Sequence, residues 1–209
     1  MDILDFHTHH ADATDAMISV DPRHFDPQPG KWYSVGVHPW DTDSAISDTD
    51  LRLLEQCARH PQVLAIGETG LDNRRGGDIE TQTALFIRHL QLAHSVGKIV
   101  VVHSVKAVQQ ILNIRREANL TDVQLAIHGM RNNEHVARMW LNAGCYLSFG
   151  PRFNPAALLA TPLNRLLIET DDSDATIQEV AQNIAQALHV TSDDIMTTAA
   201  GNARRLLMN

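Results

Sequence analysis

The chain has 209 residues, a formal net charge of −8 and two cysteines, Cys57 and Cys145; 44% of its residues are apolar and 20% charged. This is the balance of a globular chain long enough to bury a core without staples, and two cysteines argue against a disulfide framework and for a reducing compartment. The N-terminus has no cleavable leader pattern and no apolar run approaches the roughly 18–20 residues of a membrane span, so the chain reads as cytoplasmic. The negative balance repels nucleic acid on average, so a phosphate-bearing substrate would need a local positive spot or bound cations.

Eight short apolar runs predict strands, at residues 2–6, 16–20, 32–37, 63–67, 98–102, 123–127, 145–149 and 165–168. Most are continuous rather than alternating, as in parallel strands covered on both faces. Helical patterns lie between several of them. Residues 47–60 open with Ser47, Asp48 and Thr49 as cap candidates, and Leu51, Leu54 and Ala58 follow at helical spacing. Residues 80–97 place Leu85, His89 and Leu92 along one face and stop at Gly97. Residues 105–118, 133–144, 176–190 and 192–207 behave likewise.

Strand followed by helix, repeated, predicts an α/β chain with a parallel sheet, and eight strands predict a (β/α)8 TIM barrel. Such a barrel would be trimmed. Only nine residues separate the first two runs, residues 21–31 hold three prolines and no helical period, and residues 150–164 hold at most one short helix. Several crossover helices are therefore missing or shortened. No second domain, internal repeat or low-complexity tract is visible, which gives a single domain over residues 1–209.

In a parallel barrel the chemistry lies at the C-terminal ends of the strands. After the first run come His7 and His9, which alternate along a strand and so share one side. Later runs are followed by His38, Glu68, His103, His128 and Asp171. These are nitrogen and oxygen metal ligands. Alone, each has an ordinary reading as a buried histidine or a helix cap; the joint position carries the inference. His60, His89, His94, His135 and His189 read as ordinary helix-face residues, and His10 faces away from His7 and His9. Asp5 and Glu169 share the alternation of the ligand candidates and suit orienting hydrogen bonds to them. Asp72 suits a cap on the turn after Glu68. Arg74, Arg75, Lys106, Arg131 and Arg152 follow strand ends and could ring the mouth or simply face solvent; Trp40 and Phe153 are the aromatic residues placed near it.

The stretches "DFHTHH", "VGVHPW", "AIGETGLD", "VVHS", "IHG" and "IETD", in that order, resemble the TatD-type metal-dependent hydrolases of the amidohydrolase-like barrel superfamily. The resemblance runs nearly the whole chain. It implies a barrel with two divalent cations, Zn, Mn or Mg. His7, His9 and Asp171 would hold the first, His103 and His128 the second, and Glu68 both. Glu68 and Asp171 would be catalytic, Asp171 doubling as base for the attacking water. His38 would touch a substrate phosphate, with Arg74, Lys106 and Arg131 as further substrate contacts. The implied activity is that of a deoxyribonuclease trimming single-stranded ends.

The substrate-side motifs depart from the family pattern. Asn73 stands where an aromatic is usual, Val105 and Lys106 where an arginine is usual, and "HGMRN" replaces an "HCFSG"-like turn. "DSDAT" leads straight into a helix where a proline and a long basic loop are usual. Three readings follow: a phosphodiesterase acting on nucleic acid, a hydrolase of a small ester, amide or phosphate, and a metal-binding barrel without catalytic activity. In each the chain is expected to be a monomer without a membrane partner.

Overall fold

The computed structural model describes residues 3–43 and 46–208. The strands are β1 (Asp5–Thr8), β2 (Ala16–Val20), β3 (Trp32–Val35), β4 (Val63–Asp72), β5 (Ile99–Val105), β6 (Leu125–Ile127), β7 (Tyr146–Phe149) and β8 (Leu166–Ile168). They form one eight-stranded sheet in chain order. The pairs β1–β2, β3–β4, β4–β5, β6–β7 and β7–β8 are all parallel. The end of β8 returns to β1 through a parallel bridge between Thr8 and Asp171. There the His9 N–H donates to the Asp171 carbonyl (3.0 Å) and the Asp171 N–H to the His7 carbonyl (2.9 Å). A parallel sheet whose last strand rejoins its first is a barrel, the (β/α)8 class that the alternation of elements predicts.

The helices are α1 (Asp48–Ala58), α2 (Ile79–Val96), α3 (Val108–Glu117), α4 (Glu134–Asn142), α5 (Pro155–Leu159), α6 (Ile177–Leu188) and α7 (Ser192–Leu207). The trimming falls where proline and chain length place it. Residues 9–15, between β1 and β2, hold no helix; a 3₁₀ turn at Pro22–His24 follows β2; five-residue α5 and a 3₁₀ turn at Leu163–Arg165 follow β7. Reciprocal caps open α1 (Ser47 with Asp50), α6 (Thr176 with Glu179) and α7 (Thr191 with Asp194), satisfying amide groups that would otherwise have no partner.

By its internal contacts the chain divides into two compact units. One holds residues up to Ile18 and from Ala126 onward. Its core gathers Phe6, Trp140, Leu147, Phe149 and Ile184, all buried. Buried Asn202 on α7 donates to the carbonyls of Leu163 and Leu166 and so ties that helix to the start of β8. The other unit, Ser19–Leu125, buries Ile66, Phe86, Leu90, Val100 and Ile111.

Three strands extend further than their apolar runs. β1 reaches Thr8, β5 reaches Val105, and β4 runs ten residues through "GETGLD". His7, Glu68 and His103 therefore lie inside strands rather than just past them. The glycines that look like a turn in "GETG" serve a close approach instead. A Cβ at Gly67 would fall 2.4 Å from the Val101 carbonyl oxygen, and one at Gly70 2.0 Å from that of His103. Both have φ in the region open to glycine, 133° and 145°.

Candidate metal centre

The first unit gathers His7, His9, His128, Glu169 and Asp171. β1 delivers His7, fully buried, and just past its end His9, whose side chain is 45% exposed. Asp171 follows β8 in the left-handed conformation, φ 57°, which a short polar side chain tolerates better than most. Its Oδ1 stands 3.8 Å from His7 Nε2 and 3.7 Å from His9 Nε2. Donors held about 2.1 Å from a tetrahedral divalent ion lie about 3.4 Å apart, so this spacing fits a cation with little adjustment. The His128 ring packs tilted against that of His7, with centroids 4.4 Å apart, and His7, His128 and Asp171 also offer ligand atoms within 4.8 Å of one another.

Asp5 and Glu169 support this cluster in different ways. Glu169 is fully buried, with Oε1 3.7 Å from His128 Nδ1. That is an ion-pair distance, longer than the orienting hydrogen bond expected from the sequence; the Gly129 N–H donates to Oε1 instead, at 2.5 Å. Burial alone would raise this carboxyl, yet the facing imidazoles of His128 and His7 outweigh it and hold it below the ordinary range. Asp5 accepts from both the backbone and the hydroxyl of Thr170, pinning the residue before Asp171. Burial pushes its carboxyl up to about 6 against those bonds. His10 turns aside to the Ser173 carbonyl, at 2.9 Å.

The second unit gathers His38, Glu68, Asp72 and His103. Glu68 Oε1 lies 2.8 Å from His103 Nδ1 and 3.0 Å from His38 Nε2, and those two nitrogens are 3.3 Å apart. The far side of His103, Nε2, faces Asp72 Oδ2 at 3.3 Å. Asp72 is fixed by the Trp40 indole N–H (2.6 Å) and the Arg74 backbone N–H (2.8 Å). Burial would raise its carboxyl, but the bonds from Trp40, Arg74 and His103 outweigh it and hold it low. A carboxylate behind a ligand imidazole is the arrangement that orients metal-binding histidines.

The tautomer of His38 can be read from its neighbours. The Trp40 backbone N–H donates to His38 Nδ1 at 3.1 Å, so the ring proton sits on Nε2, aimed at Glu68. His38 thereby acts as a donor in the cluster; a ligand would need that nitrogen bare. The donor set of His38, Glu68 and His103 is packed for hydrogen bonding, and Glu68 and His103 supply the oxygen and nitrogen types a divalent cation takes.

The other predicted contacts are exposed. Arg74 lies on the loop after β4, and Lys106, at φ 56°, follows β5. Arg131 brings its guanidinium within 3.4 Å of Asp171 Oδ2. Arg75 lies 4.7 Å from the Trp40 ring centroid. Gln82 carries a role that the sequence reading passed over. It is buried on α2, accepts from the Asp72 N–H and donates to the carbonyls of Asp72, Arg75 and Gly77. Its signal was a polar residue on the stripe that continues through Leu85 and His89.

A parallel barrel whose strands present imidazoles and carboxylates in ligand-type clusters is the frame of a metal-dependent hydrolase. The family model described as TatD related DNase matches residues 26–208, and the chain belongs to the TatD family of metal-dependent hydrolases. It is 31% identical over 195 residues to the uncharacterized metal-dependent hydrolase YcfH of Escherichia coli K12, covering 83% of this chain and 72% of that one. It is 27% identical over 169 residues to human TATDN2, named a 3'-5' RNA nuclease, covering 76% of this chain and 22% of that one. The solved structure of the TatD homologue YjjV from Escherichia coli K12 has the same fold, with a TM-score of 0.78 and 21% identity over 92% of this chain and 86% of that one.

Proposed function

We propose that the chain hydrolyses phosphodiester bonds of nucleic acid, in the manner of a deoxyribonuclease, with two divalent cations (Zn, Mn or Mg) held by His7, His9, Glu68, His103, His128 and Asp171. The observation that carries this is the stance of Asp171 Oδ1 at nearly equal distances from two imidazole nitrogens, in a member of a metal-dependent hydrolase family. The nuclease names of the family and of the human relative point to the substrate. When bound, the cations supply an acidified water and draw negative charge off the phosphoryl oxygens. Asp171 turns Oδ1 to the histidines and takes the water's proton on Oδ2. Glu68 holds its carboxylate under the His38 N–H, and His38 offers that same donor to a phosphoryl oxygen when substrate enters. Arg74, Lys106 and Arg131 meet the substrate's remaining negative charge. The chain works as one domain and a monomer; its two buried cysteines suit the reducing cytoplasm. Among the described residues no helix is long and apolar enough to cross a membrane.

The test is a substrate panel with added Mn²⁺ or Mg²⁺. Nucleotide release from single-stranded DNA or RNA, lowered at least about 100-fold by Asp171→Asn, is the expected result. Turnover of small esters or phosphomonoesters without strand trimming would move the assignment to a small-molecule hydrolase, the reading favoured by Asn73 and by the short path from β8 to α6. Protein that binds metal yet is inert throughout would overturn both.

A further inference from the structure

Trp40 is a large aromatic with 43% of its surface exposed, and it is held at both ends. Its backbone N–H donates to His38 Nδ1, and its indole N–H donates to Asp72 Oδ2, which faces His103. The ring meets those of His38 and His103 near perpendicular, with centroids 4.8 and 5.6 Å away. A tryptophan that served packing alone would be buried, as Trp140 is at 1% exposure. Trp40 is instead locked by polar bonds with nearly half of its surface open. Over its ring lies the guanidinium of Arg75, itself exposed. An arginine on an exposed ring is a weaker neighbour than a stacked base, so a flat aromatic group can take its place. Beside the pair opens a cavity of about 170 Å³ lined by Asp72, Arg74, Arg75 and Gln82 among others, where two arginines can meet an anion.

We propose that Trp40 is a stacking platform for a nucleobase of the substrate, with Arg75 moving off the ring to meet the adjoining phosphate in this cavity. The inference rests on the phosphoester reading above and deepens it. Flat ring and cation side by side match a base joined to a phosphate. An aliphatic ester or a bare phosphate would use only half of the pair. Because one N–H of Trp40 reaches His38 and the other reaches Asp72, which faces His103, a base docked here is registered against the second cluster.

Binding separates this from hydrolysis. In calcium, a single-stranded oligodeoxyadenylate should quench the tryptophan fluorescence of the full chain, and an abasic oligomer of equal length and charge should not. Trp40→Ala should abolish the quench and weaken binding of the base-bearing strand about tenfold or more, while Trp40→Phe keeps it within about threefold. Equal affinity of the wild type for both oligomers, failure to bind either, or undiminished binding by Trp40→Ala would overturn the proposal. A quench that depends on Trp40, in a protein that cuts no phosphodiester with manganese, would uphold the platform and sink the hydrolytic reading alone.

Discussion

His89 and Asp5 are buried titratable groups that act in opposite directions as pH falls. His89 accepts the Val37 N–H on Nε2 (3.0 Å) and donates from Nδ1 to the Leu85 carbonyl (2.8 Å), so it holds the backbone just before His38. Burial pushes its pKa down to about 4 from 6.5. The folded protein keeps it neutral where the unfolded chain would charge it, so its contribution is whole above pH 6.5 and is lost as pH falls towards 4. The shift corresponds to about 3 kcal/mol. Urea titrations across that window should show the loss in the wild type and a flatter profile in His89→Gln. Asp5, raised to about 6, contributes fully below its ordinary value of 3.8 and loses that contribution as pH rises through 6. Asp5→Asn should therefore gain on the wild type between pH 4 and 7 in the same titrations. The candidate ligand residues were more visible in the sequence than these two. A histidine or aspartate following an apolar run is visible as a pattern, whereas the partner of His89 lies 52 residues away and only folding brings them together. His38 shows the same limit. Its place at a strand end was legible, but its tautomer depends on a single backbone N–H.

At the level of elements, β4 and β5 form the longest ladder in the second unit, and its spacing depends on glycine. Gly70→Ala would drive a methyl group into the His103 carbonyl. It should destabilise the fold by about 3 kcal/mol or more, read as a lowered urea midpoint, and should reduce metal affinity because Glu68 and His103 share the ladder. Removing one reciprocal cap, Thr176→Ala, should lower stability by only about 1 kcal/mol and leave metal binding unchanged. Helices with a clear apolar stripe, α4 and α6 above all, were legible from periodicity. The second half of β4, past residue 67, was not: glycine marks turns and close approaches alike, and only the neighbouring strand decides which. The shortened connections after β1, β2 and β7 were legible because proline and a short chain exclude helices for steric reasons.

For the whole molecule, a net charge of −8 opposes the anionic substrate proposed above, and the proposed cations would offset that opposition where they bind. Chelation should therefore abolish turnover and also lower the melting temperature. Manganese at about 100 times its dissociation constant should restore about 2.7 kcal/mol of stability, seen as a concentration-dependent rise in melting temperature. Alternating strands and helices disclosed the barrel class, since few folds accept eight parallel strands in chain order. The substrate was less legible, because it depends on exposed loop residues that carry no periodic signal.

The Thr8–Asp171 bridge ties together residues 163 positions apart, and one of them is the proposed base. On that assignment the rung that fastens the two edges of the sheet would also be part of the reaction apparatus. With Asp171 as the base, a newly made chain would stay inert until β8 has emerged and zipped to β1, after most helices can form. In refolding, the return of hydrolysis should trail the return of the helical circular-dichroism signal, because the longest loop is the slowest to be tied.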